Sequence, residues 1–171
     1  MKQWVIGIIT AAALTAPVGA TELSKGFRLL IERGFQIQGL VTKDNPFHLH
    51  TYLAANYTTI DWLGASNTAL QGRPPGLPWS RWASDPEHMP PVRDEKPYMP
   101  QLVSVSLGDE PDLNNPVQRQ KNIDWYERFR GQFPRTILFT NNWGLQIQDR
   151  AYQDFLSRAK PDMISFDTYP W

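Results

Sequence analysis

The strongest constraint on the fold is a phase relation among short apolar segments. Residues 102–112 read LVSVSLGDEPD, an alternation of period two that marks a β-strand with unlike faces. Ser104, Ser106 and Glu110 fall on one side of it, and Val103, Val105, Leu107 and Asp109 on the other. Four further segments divide in the same way. Gln36 and Gln38, Thr59 and Asp61, Thr140 and Asn142, and Ser165 and Asp167 form the polar phase. Phe35 and Ile37, Ile60 and Trp62, Ile137 and Phe139, and Ile164 and Phe166 form the apolar one. The predicted strands are therefore 35–41, 58–63, 102–112, 136–141 and 163–167.

Helical patterns separate them. Leu23, Phe27, Leu30 and Ile31 recur at helical spacing ahead of Gly34, and residues 48–56 form a short helix carrying Leu49 and Leu53. Ile123, Tyr126, Phe129 and Phe133 make the stripe of a longer helix opened by Pro116. Asp149 is an N-cap for a helix burying Tyr152, Phe155, Leu156 and Ala159, which Pro161 stops. Helix, turn and strand in repetition imply a parallel sheet under helices. In a doubly wound sheet both faces are covered and strands read as continuous apolar runs. Two-faced strands fit a closed barrel whose polar groups gather at its mouth.

Residues 65–101 break the rhythm. Eight of the chain's 15 prolines lie between Pro74 and Pro100, and no strand is predicted there, so the segment reads as a long Pro-rich loop. Within it Trp79, Arg81 and Trp82 form either a stacking platform with a cation beside it or a clasp pinning the loop to the domain.

Lys2, the apolar run from Trp4 to Leu14 and the small residues Val18-Gly19-Ala20 make residues 1–20 a signal peptide, which implies a secreted or periplasmic protein. The remaining domain is 21–171. The whole chain holds 17 Lys and Arg against 17 Asp and Glu; without Lys2 the balance is 16 against 17. Near-neutrality gives no support for nucleic acid or anionic membrane as partner. With no cysteine, such a domain relies on its core rather than on disulfides. No cofactor is implied. His48 and His50 are spaced for a shared metal only in an extended strand; at the start of a helix their side chains diverge, so no metal site is expected.

QLVSVSLGDEPD, then ILFTNNWG and DMISFDTYPW, resemble the strand ends of secreted (β/α)8 glycoside hydrolases and their glycosidase-like relatives. The resemblance covers roughly residues 35–171. It implies a parallel α/β TIM-type barrel, incomplete here with about five of eight strands, because such barrels run to about 250 residues. It implies hydrolysis of glycosidic bonds in a carbohydrate substrate. Glu110 is the implied proton donor, with the second carboxylate in a missing C-terminal part, so this chain alone is expected to be inactive. Asp109 stands where the family has asparagine. Asp109, Asn142, Trp143, Asp167 and Tyr169 are candidate sugar-binding residues through hydrogen bonding and ring stacking. Two alternatives stay open: a barrel that binds glycan without cleaving it, and a small flavodoxin-like open sheet. Strand order separates the last from a barrel, since a doubly wound sheet reverses its order at one point.

Overall fold

The computed structural model describes residues 22–41, 49–63, 76–83, 85–89, 95–146 and 148–167. The expected signal peptide, His48 and Tyr169 lie outside these residues. The elements in chain order are α1 (Lys25–Arg33), β1 (Gln38–Val41), α2 (Leu49–Ala54), β2 (Thr59–Leu63), β3 (Trp79–Ala83), β4 (Leu102–Asp109), α3 (Pro116–Gln132), β5 (Ile137–Trp143), α4 (Arg150–Ala159) and β6 (Ser165–Asp167). The six strands form one sheet in the order β1-β2-β3-β4-β5-β6, and every neighbouring pair is parallel. The reversal point of a doubly wound sheet is absent from this order.

The expected loop at 65–101 contains a strand. Trp79 to Ala83 is inserted between β2 and β4, so the sheet has six strands where the sequence predicted five. Trp79 is buried, and its indole N–H donates to the Tyr98 carbonyl at 2.8 Å. Arg81 lies 5.1 Å from the Trp79 ring centre and pairs with Glu95, both buried. Of the two readings of PWSRW the clasp is the closer one, because Trp79 and Arg81 point into the domain and offer no surface to a ligand. Burial lowers the Arg81 pKa to about 10, and the carboxylate beside it supplies the charge that keeps a guanidinium tolerable there.

Local sequence explains the helices. Asn115 accepts from the backbone N–H groups of Val117 and Gln118 at 2.9 and 3.3 Å, and Pro116 takes the first helical position, where no N–H is needed. α3 then lays Ile123, Trp125, Tyr126 and Phe129 against Val105, Leu107 and Leu138. Tyr152, Phe155 and Ala159 of α4 complete this core. Each such aromatic or branched side chain contributes about 2 kcal/mol through removal from water. α4 ends at Lys160, whose left-handed backbone (φ 48°) caps the helix just before Pro161. The helix predicted at 22–33 forms, but its apolar stripe is not what packs: Phe27 and Ile31 are 64 % and 71 % exposed, while Gly26 and Leu29 are buried. α1 is held instead by polar ties at the amino ends of the strands. Lys25 pairs with Asp162 at 2.8 Å, and Arg33 donates to the Leu102 carbonyl at 2.9 Å.

The face of the sheet opposite α3 and α4 is concave. Three strand spacings, about 14 Å, separate β1 from β4 in a flat sheet. Gln38 of β1 nevertheless hydrogen-bonds Ser80 of β3 at 3.0 Å and Ser104 of β4 at 3.5 Å, and Ser104 donates to Ser80 at 2.7 Å. A glutamine side chain closes that gap only if the sheet curls toward it. The polar phase read for β1 and the first half of β4 thus lines a hollow.

Candidate functional site

The phase changes at the carboxyl end of β4. Up to Ser106 the pairing with β5 runs residue for residue, Ser104 with Ile137 and Ser106 with Phe139. It then slips, and Asp109 comes opposite Asn141. The extra residue is absorbed at Gly108, whose φ of 136° suits glycine alone; a Cβ there would come within 3.0 Å of Asn122 Oδ1. The bulge turns Asp109, predicted to share the face of the valines, onto the concave side.

Asn141 is what the bulge delivers Asp109 to. Its amide Nδ2 donates to Asp109 at 3.2 Å and to Asp167 at 2.8 Å, and its Oδ1 accepts from Ser165 at 2.9 Å. Its backbone carbonyl accepts from the Glu110 N–H at 2.8 Å. One buried asparagine therefore ties together three acidic residues from the ends of β4 and β6. Because Asp109 and Asp167 accept from the same nitrogen, their bonded oxygens lie less than about 6 Å apart.

Glu110 differs from expectation in conformation and in face. It was predicted to be extended and to follow Ser104 and Ser106. Its φ is 43°, a left-handed value that a side-chain-bearing residue adopts at a cost of about 1 kcal/mol. Pro111 does bar the right-handed helical backbone at Glu110. With the bulge just before it and its N–H held by Asn141, the chain escapes by turning left. The exposed side chain consequently lines a groove of about 430 Å³ with Asp112, Asn114, Trp143, Leu145, Gln146 and Asp149, between the carboxyl ends of β4 and β5 and the amino ends of α3 and α4. Among the described residues no cation pairs with Glu110.

Asn142 is also displaced from its expected side. The phase of β5 is opposite to that predicted: Leu138 and Thr140 face α3, the latter meeting the Tyr126 hydroxyl at 3.0 Å, and Ile137 and Phe139 share the side of the serines. A buried tyrosine hydroxyl gives threonine a partner against the helix, which hydrophobic pattern alone does not reveal. Burial raises the Tyr126 pKa, so this hydroxyl stays protonated. Asn142 is buried and donates to the carbonyls of Thr140 and Ser165, which pins β5 to β6.

Of the candidate residues, Asp109 and Asp167 come together, Glu110 and Trp143 share the groove, Asn142 ties β5 to β6, and Tyr169 lies outside the described residues. The side chain of Asp61 also lies outside them. Sequence reasoning missed Asn141, Asp112, Asn114, Gln146 and Asp149. The glycine at 108 was the available signal for Asn141, since an isolated glycine in a strand marks a bulge. Among the described residues no group of three or more His, Cys, Asp or Glu side chains converges closely enough to hold a metal ion. His50 is exposed, and its ring contacts the adjacent Thr51 hydroxyl at 3.2 Å. No described helix is long and apolar enough to cross a membrane. No family model, curated protein or solved structure matches the chain.

Proposed function

We propose that this protein is an exported carbohydrate-active hydrolase built on a (β/α)8 barrel, cleaving glycosidic bonds at the carboxyl ends of its strands. The observation that carries the reading is Asn141: it joins Asp109, Glu110 and Asp167 at the end of the sheet where parallel α/β enzymes place their chemistry. Sequential, all-parallel strand order and a curled polar face are what such a barrel requires, and eight strands would close it.

In this reading Glu110 is the general acid that protonates the leaving oxygen. Its exposure beside Trp143, which is itself 46 % exposed, puts a proton donor next to a surface on which a sugar ring stacks. The left-handed backbone at Glu110 is the kind of local strain that persists where geometry serves a site. Asp109 and Asp167 take sugar hydroxyls and oppose the positive charge that develops on the ring in the transition state. A second carboxylate, acting as nucleophile or as base for water, completes the reaction in the barrels the chain resembles.

Reducing-end release from a panel of polysaccharides by the full-length protein tests the assignment. Glu110→Gln should lower turnover by about a hundredfold or more, the usual contribution of general acid catalysis, with glycan binding retained. Unchanged turnover removes Glu110 from the mechanism.

A further inference from the structure

The groove that holds Glu110 has a composition that selects among sugars. Among the described residues its lining contains three carboxylates, Glu110, Asp112 and Asp149, and no lysine, arginine or histidine. The cations nearest in sequence are engaged elsewhere or stand outside it. Arg119 donates to the Leu113 carbonyl and pairs with Asp154, while Arg150 is exposed and takes no part in the lining. Asp112 accepts from the backbone N–H groups of Asn114 and Asn115, and Asp149 from the Asn114 amide at 2.9 Å. These neutral donors orient the carboxylates without cancelling their charge.

A second, independent feature points to a missing donor. Gln146 lines the same groove and is only 7 % exposed, and its Oε1 is buried with no hydrogen-bond partner among the described residues. Its Nε2 donates to the Pro111 carbonyl at 3.2 Å, so the side chain is held in place with an acceptor to spare. An orphaned buried acceptor is destabilising until a donor reaches it. A bare metal ion does not fit, since the acidic groups do not converge on one point. An organic cation spread over several ångströms does. Trp143 and Leu145, 46 % and 72 % exposed, supply an apolar floor beside the charges.

We infer that this groove binds a sugar bearing a protonated amine, with the pyranose face on Trp143, the ammonium among Asp112, Asp149 and the Gln146 carbonyl, and Glu110 left to the glycosidic oxygen. The inference rests on the carbohydrate reading above and deepens it, from sugars in general to cationic amino sugars. An ammonium beside an aromatic face gains from the ring quadrupole as well as from the carboxylates.

Isothermal titration calorimetry with three tetrasaccharides separates the two levels. The glucosamine tetramer should bind about tenfold more tightly than cellotetraose or the N-acetylglucosamine tetramer at low salt, with the gap narrowing as salt screens the carboxylates. Equal affinity for all three overturns the amino-sugar inference and leaves the carbohydrate reading standing. No binding of any of them overturns both. In Asp112→Asn/Asp149→Asn each position keeps an oxygen for its present donor, so the fold should survive, as circular dichroism would show. The preference should fall to about threefold or less with two charges removed; a preference unchanged in this variant overturns the inference.

Discussion

Replacing Asn141 with alanine tests whether one amide holds the strand ends together. The substitution deletes the donor shared by Asp109 and Asp167, at 3.2 and 2.8 Å, and the acceptor of Ser165 at 2.9 Å, from a side chain that is 3 % exposed. A hydrogen bond to a charged group is worth about 1.5–3 kcal/mol when buried. Asp109 is exposed and Asp167 half-buried, so water recovers part of both, and about 2 kcal/mol is the expected loss from the pair. The repulsion between the two carboxylates across less than about 6 Å, about 1 kcal/mol at a solvated surface, is present with or without the amide. Urea denaturation of Asn141→Ala should therefore show a loss of about 2 kcal/mol with little change in m-value. Adding Asp109→Asn should return about 1 kcal/mol by removing the repulsion. A loss below about 0.5 kcal/mol in the single variant, the range of ordinary surface changes, would refute the claim that Asn141 organises these acids.

Three further outcomes follow from the packing. Gly108→Ala should cost about 1–3 kcal/mol in the same denaturation assay, because the φ of 136° is closed to alanine and the new Cβ meets Asn122 Oδ1 at 3.0 Å. Glu95→Leu leaves the Arg81 guanidinium buried beside Trp79 and should cost about 3–5 kcal/mol, whereas Arg81→Met/Glu95→Leu should recover most of that loss. Glu87 accepts from the Trp125 indole at 2.7 Å and from Arg128 at 3.0 Å, and these bonds, that of Trp125 foremost, lower its pKa. Its stabilisation is thus complete above the ordinary carboxylate pKa and is lost as pH falls through the lowered one. Glu87→Gln should flatten the acid limb of a stability-against-pH curve, and an unchanged limb would contradict this.

How far the sequence reaches can be judged at β4 and β5. The two-faced pattern of 102–107 located the sheet, its polar side and the helices that cover its other side, since burial of Val105 and Leu107 needs only hydrophobic phase. Two neighbouring residues then escaped it. Asn141 and Asn142 differ by one position, and which of them enters the hollow depends on a tyrosine hydroxyl in α3 that hydrogen-bonds Thr140 on the apolar side, while a slip in pairing at Gly108 brings Asp109 opposite Asn141. Both are tertiary facts. β3 escaped for another reason: WSRWA carries its polar Arg81 on the helix side, where a partner as distant as Glu95 helps to make it tolerable. Prolines on either side then made the segment look like loop. The exposed Phe27 and Ile31 of α1 show the reverse case, a correct helix whose apolar stripe did not determine its packing.

The account turns on where a glycan sits. A crystal structure of the protein with a bound glucosamine tetramer is expected to place a sugar ring against Trp143, with hydroxyl or ammonium groups within about 3.2 Å of Glu110 and Gln146 Oε1. A tetramer found instead in the cleft between Arg33 and Arg135, at the opposite end of the strands, would contradict it.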